Sequence, residues 1–272
     1  MIILFNCSGQ TCNQWLAFAS CLANAHLNKQ ELIYPLMDPV FNETFQIRFE
    51  FLDGVNIRIN RNILLNFISK IIRKLYSFLE IPGKRIQWKE EDKMPHILWD
   101  WNSSVDYEAL QRDQEYIRKV IVFPEEVIKR IDVWWKENIN VKKRTIAVHL
   151  RRGDYSNFAG GRFYYSNEDY KKWMQGLFSR EYNLQFLLFS NEKIEISEFD
   201  NLPIMVMKGN VTEDLYAMSK CDFIMGPPSS FSRCATYMGE KKRLVLLDRN
   251  KCYSFSDFYG SDDIRFYKSH TD

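Results

Sequence analysis

No Cys-x-x-Cys pair occurs among the six cysteines of this 272-residue chain, which stand at 7, 12, 21, 221, 234 and 252. Their scatter argues against a zinc site and fits a reduced, cytoplasmic protein with small buried thiols. An excess of one charge is missing too. The formal net charge is +2, which forecasts no nucleic-acid partner. No apolar run approaches the length of a membrane-spanning helix. The run Ile2-Ile3-Leu4-Phe5 has no basic flank before it and is too short for a secretory signal. Sequons at Asn6, Asn42, Asn102 and Asn210 therefore read as chance matches. Core material is plentiful. Hydrophobic residues make up 46%, including 20 Phe, 14 Tyr and 7 Trp, enough for one large or two small domains.

The chain opens as strand, helix, strand. Ile2 to Phe5 is the first strand, Asn13 to Leu27 a helix, and Leu32-Ile33-Tyr34 the second strand. That is the usual start of a Rossmann-like domain. Asn13 sits at the helix start, where it caps the helix or turns its amide toward a ligand. Residues 56 to 89 carry eight Lys or Arg against the single acid Glu80. Their apolar positions fit an amphipathic helix, core-packed with a solvated basic face. Contact with anionic membrane, at the inner face of the cell membrane, is the alternative. Trp99, Asp100 and Trp101 read equally as core or as a sugar platform. Pro124-Glu125-Glu126 starts a further helix that ends near Asn138. The polar stretch from Asn138 to Arg144 marks the domain boundary, giving residues 1–143 and 144–272.

The second half repeats strand then helix, which implies a parallel sheet covered on both faces. Ser166-Asn167-Glu168-Asp169 is a capping-box helix start, and Gly239 reads as a helix stop. Two turns stand out. One follows the strand Ile146 to Leu150, which carries His149, and spells Arg151-Arg152-Gly153-Asp154-Tyr155. Ligands of open α/β sheets bind at the carboxyl ends of strands. Arginine forks suit phosphate there. Asp154 can orient an arginine, accept from a sugar hydroxyl or act as a base. A plain solvated turn is the competing account. The other turn is Gly226-Pro227-Pro228-Ser229-Ser230-Phe231-Ser232, between a strand and a helix. Ser229, Ser230 and Ser232 either cap that helix or cradle a pyrophosphate at its N-terminus.

His149-x-Arg151-Arg152-Gly153-Asp154-Tyr155 resembles the signature of the α1,2-fucosyltransferases, glycosyltransferase family eleven. It also resembles the wider clan with the α1,6- and protein O-fucosyltransferases. The serine turn and the Asn13-Gln14 pair agree with that resemblance. Arg233-Cys234 stand where the family has a Trp pair, and the first loop has one glycine where bacterial members have several. The resemblance implies a GT-B-like α/β fold, two Rossmann-like domains with a cleft between them. Residues 1–143 would be the acceptor side and 144–272 the GDP-sugar donor domain. It implies inverting transfer of fucose from GDP-fucose to a galactose-type hydroxyl, in α1,2 linkage. The acceptor would be an oligosaccharide or lipid-linked glycan of a bacterial surface, such as an O-antigen or capsule. Arg151, Arg152 and Asp154 would be catalytic. His149, Asn13, Asp214, Ser229, Ser230 and Ser232 would bind the donor, with Asp214 reading guanine. Asp214 otherwise reads as a first-turn helix acid. No Asp-x-Asp occurs, so neither a metal nor another cofactor is indicated. A GT-B enzyme with another nucleotide sugar and a non-catalytic glycan-binding relative are the rival readings.

Overall fold

The computed structural model describes residues 1–5, 10–35, 39–59, 67, 71, 96–98 and 104–268. The chain divides into two compact units, Met1–Pro124 and Glu125–Asp272. The first unit opens with β1 (Ile2–Leu4), α1 (Thr11–Leu27) and β2 (Leu32–Tyr34), the strand, helix and strand expected. It continues with α2 (Pro39–Thr44), β3 (Gln46–Ile47), β4 (Ile57–Ile59), β5 (His96–Leu98), α3 (Tyr107–Arg112), α4 (Gln114–Val120) and β6 (Ile121–Val122). β4, β2, β1 and β5 form a sheet in that order, every pair parallel. β3 and β6 pair antiparallel. α1 buries Trp15, Leu16, Phe18, Leu22 and several alanines. It is buried nearly all round, polar Gln14, Ser20 and Asn24 included, as a helix enclosed in a core is.

Most of residues 56 to 89, and Trp99 to Trp101, lie outside the described residues, and so do the readings made there. Phe67 and Ile71 are described. Both are helical and expose 63% and 45% of their surface, so neither is packed in a core.

The second unit comprises α5 (Glu125–Asn138), β7 (Arg144–Leu150), α6 (Asn167–Phe178), β8 (Leu184–Ser190), β9 (Ile204–Val206), α7 (Val211–Lys220), β10 (Phe223–Gly226), α8 (Ser230–Gly239) and β11 (Lys242–Val245). The sheet order is β11-β10-β7-β8-β9, all parallel. α5 groups with this unit, which begins at Glu125. Asp132 of α5 accepts from the Tyr216 hydroxyl at 3.2 Å and pairs with Lys220 at 2.5 Å, while Arg130 pairs with Glu213 at 2.5 Å, all on α7. The amphipathic pattern of α5 announces that it packs but not on what.

Side chains alternate along the strands. Ile146, Val148 and Leu150 of β7 join Phe186, Leu188, Met225 and Leu244 in a core with Tyr170, Trp173, Met174 and Leu177 of α6. His149 is on the opposite face, beside Phe231 of α8. The capping box at Ser166 and Asp169 is present. Gly239 has another role than a stop. The left-handed residue is Glu240 (φ 53°), and a Cβ on Gly239 would lie 2.1 Å from the Ser219 carbonyl oxygen. The glycine lets α8 lie against the end of α7. Cys12, Cys21, Cys221 and Cys234 are buried free thiols, and Cys252 is exposed. No helix among the described residues is long and apolar enough to cross a membrane.

Candidate functional site

In the second unit the chain leaves β7 for β8 and β9 on one side, then returns to β10 and β11 on the other. The turns after β7 and β10 therefore diverge. In open α/β sheets that reversal opens a crevice at the carboxyl ends of the strands. Both motif turns lie at this point. The register ends at Val148↔Met225. Just beyond it the chains come very close, since a Cβ on Gly226 would lie 2.9 Å from His149 Cβ and 3.0 Å from its carbonyl oxygen. Any side chain at 226 would push the two turns apart.

The adjacent arginines are on opposite faces, because consecutive residues leaving a strand point to opposite sides. Arg152 is buried on the α6 side. Its guanidinium donates to the Tyr165 carbonyl and to Asn167 Oδ1, and it lies 5.3 Å from the Tyr164 ring and 5.9 Å from the Tyr170 ring. Its fork is therefore engaged within the core, away from the crevice. The turn itself is held from β8. The Arg152 N–H donates to Asn191 Oδ1 at 3.1 Å and the Gly153 N–H to Glu192 Oε1 at 3.1 Å. Gly153 has φ +59°, and a Cβ there would meet Asn191 Nδ2 at 2.9 Å.

Arg151 lies on the His149 face. It pairs with Asp154 at 2.9 Å and sits 5.3 Å from the Tyr155 ring centre. The Asp154 side chain is 55% exposed against 15% for Arg151. An incoming anion can thus replace an exposed carboxylate on a fork that is already oriented. His149 is 6% exposed, and burial first, then the Arg151 charge, lowers its pKa to about 3. The imidazole is neutral at physiological pH. Its Nδ1 is buried with no hydrogen-bond partner among the described residues. A buried polar atom left so is costly, and it calls for a ligand or water to meet it.

The serines of the second turn divide. Ser229 is the N-cap, and its Oγ accepts from Phe231 N–H at 3.2 Å. The same side chain makes a hydrogen bond with Tyr155. Ser230 is the first helical residue and is partly exposed. Ser232 is buried and donates to the Ser229 carbonyl at 3.2 Å, so its proton is committed within the helix. The first-turn N–H groups of α8 and its dipole favour an anion in front of it.

Asp214 is in the first turns of α7, after β9, with Asn210 and Glu213 forming the capping box before it. Its carboxylate accepts from the Gly209 N–H at 3.2 Å. Burial raises its pKa to about 7, against that hydrogen bond and with the Glu213 charge helping. An acid serving only the helix dipole would be solvated and low in pKa. β8 lies between β9 and β7, which places the Asp214 turn about 10 Å from the arginine turn at the same end of the sheet. Asn13 lies in the first unit, in the first turn of α1. The N-cap is Gln10, with no side-chain cap bond, so the capping role for Asn13 is corrected: the helix starts at Thr11. Sequence reasoning assigned nothing to Tyr155, Gly226, Asn191 or Glu192. Tyr155 stands inside the quoted motif, and Gly226 precedes two prolines, but neither signal names a partner.

No family model matches the chain, and no curated protein matches it in sequence. Solved structures do match. The fucosyltransferase NodZ from Bradyrhizobium superposes with a TM-score of 0.61 at 14% identity, covering 90% of this chain and 94% of that one. POFUT1 in complex with GDP-fucose superposes with a TM-score of 0.60 at 11% identity, covering 88% and 94%. NodZ alpha-1,6-fucosyltransferase soaked with GDP-fucose gives 0.56 at 14%, covering 90% and 94%. The likeness is one of fold: this chain has the α/β architecture with parallel sheets of the GT-B fucosyltransferases.

Proposed function

We propose that the second unit binds GDP-fucose and that the chain transfers fucose from it. The observation that carries this is the convergence, at one reversal of strand order, of Arg151, the N-terminus of α8 and the His149 Nδ1, which has no partner among the described residues. All three suit an anion or its hydrogen-bonding atoms. The described binding of GDP and GDP-fucose by structures of the same fold supports the choice of donor.

In this reading the pyrophosphate faces Arg151, the Ser229 and Ser230 hydroxyls and the α8 N-terminus, while Asp214 accepts from the guanine ring N–H and exocyclic amine. An acceptor hydroxyl attacks the anomeric carbon of fucose. The bond from that carbon to the β-phosphate oxygen breaks, and its electron pair leaves with GDP. Displacement from the opposite side inverts the anomeric centre. Arg151 and the helix N-terminus stabilise the charge that grows on the departing GDP, the kind of preorganised stabilisation that removes several kcal/mol from a barrier. The acceptor proton passes to Asp154 once Arg151 has exchanged it for phosphate, or to solvent. Residues 149 to 155 support an α1,2 linkage to a galactose-type hydroxyl, and a bacterial surface glycan is the proposed setting. Asn13, in the first turn of the helix that follows β1, is proposed as a substrate contact of the first unit.

Incubation with GDP-fucose and a panel of galactosides, with products read by mass spectrometry, tests the reading. Fucosylated galactoside is expected, and turnover of a different nucleotide sugar alone would replace the donor. Activity is also expected to persist in EDTA, since the arginine and the helix N-terminus carry the phosphate charge. Loss in EDTA with recovery on adding manganese or magnesium would overturn that.

A further inference from the structure

We infer that Tyr155 is a positioning residue that sets the distance between the arginine turn and the serine turn; the inference rests on the donor site proposed above. The two groups that meet one pyrophosphate come from turns with no strand pairing between them, because the β7–β10 register stops at Val148↔Met225. The two prolines of the second turn offer the arginine turn no backbone donor. Pro227 and Pro228 lack N–H groups, and the Gly226 carbonyl is used by the Leu246 N–H at 2.9 Å. The Pro228 carbonyl remains, and the Tyr155 hydroxyl donates to it. Burial raises the pKa of that hydroxyl above its ordinary value, so it keeps the proton it donates.

The same side chain serves the other turn. Its ring, 6% exposed, lies beneath the Arg151 guanidinium at 5.3 Å and packs on Phe158 at 4.9 Å. One rigid group thus holds the serine turn by its tip and the arginine by its face. A shift of the cradle relative to the arginine matters most when charge develops on the leaving phosphate, because only then are both donors used to the full.

Tyr155→Phe separates these roles, since it keeps the ring and removes the tie. Its kcat is expected to fall about thirtyfold, as small misplacements of transition-state groups do, with donor KM and GDP affinity within about threefold of wild type. Tyr155→Leu also removes the face under Arg151 and is expected to lose GDP affinity as well. Calorimetric titration of GDP, steady-state kinetics with GDP-fucose and thermal melts on all three proteins make the test. A wild type that does not bind GDP sinks the donor-site reading itself. If wild type binds and turns over, an unchanged kcat in Tyr155→Phe overturns the positioning role. So does an equal loss of kcat and GDP affinity together with a lowered melting temperature, which marks a purely structural bond.

Discussion

Arg151→Ala is expected to lower kcat by about a hundredfold or more while the protein stays folded, the scale for losing a preorganised transition-state donor. Arg152→Ala is expected to act on stability instead. Arg151 holds an exposed carboxylate that an anion can displace, and Asp154 stays in contact with solvent when the arginine is removed. Removing Arg152 strands the Tyr165 carbonyl and takes the donor from Asn167 Oδ1 beside the α6 core. The cost is about 2–3 kcal/mol, the scale for unsatisfied buried partners of a charged donor. In a chain of this size that lowers the melting temperature by several degrees. Lysine should rescue neither position well, because it lacks the planar fork. Single-turnover rates with GDP-fucose and denaturant unfolding of both variants give the answer. Wild-type kcat in Arg151→Ala would sink the assignment of the phosphate arm. Equal loss of kcat in both variants, with Arg152→Ala still stable, would sink the division between the two faces.

Asp214→Asn should make the free protein more stable and the bound protein weaker. Burial raises the folded pKa of Asp214 to about 7. Relative to the unfolded chain, its contribution is full below the ordinary carboxylate pKa and is lost as pH rises through about 7. Asparagine has no proton to lose, and its side-chain oxygen can still accept from Gly209. The variant should therefore melt higher than wild type above about pH 7 and no higher near pH 4. Donor binding has the opposite sign. Only the ionised carboxylate accepts from both guanine donors, so wild-type GDP affinity should fall from about pH 8 to about pH 6. The variant should show no such slope. At about pH 8 it should bind GDP more weakly by about 2–3 kcal/mol, the scale for hydrogen bonds to a charged group. Donor KM should rise more than kcat falls, because the base contact is made in ground and transition states alike. Equal GDP affinities at about pH 8 would remove Asp214 from the site.

Much of the second unit was legible because its signals are local. The apolar run of β7, the capping box at Ser166 and the serine turn before α8 each rest on neighbouring residues. What depended on distant partners was not. Strand alternation alone says that Arg151 and Arg152 diverge, but only the position of α6 on one face and α8 on the other decides which meets the crevice. The helix α5 carries no local sign of its partners, because Tyr216 and Lys220 are far along the chain. Gly239 shows the same limit. A glycine after a helix reads as a stop, whereas this one is required by a carbonyl of another helix. Asn13 stays open between cap and ligand contact in the sequence, because a helix start lacking Ser, Thr, Asp or Asn at the N-cap has no local marker, and Gln10 supplies none.

The neutral, buried imidazole of His149 makes the site observable without a label on the ligand. Its ring does not protonate near neutrality, since burial and Arg151 lower its pKa to about 3. The nitrogen-15 resonances of that ring should therefore stay flat across the physiological pH range, where an exposed histidine would drift. Chemical-shift movement at Nδ1 on adding GDP would then report occupancy alone. A titration followed at this one nucleus would yield binding isotherms at any chosen pH, free of proton uptake by the reporter itself.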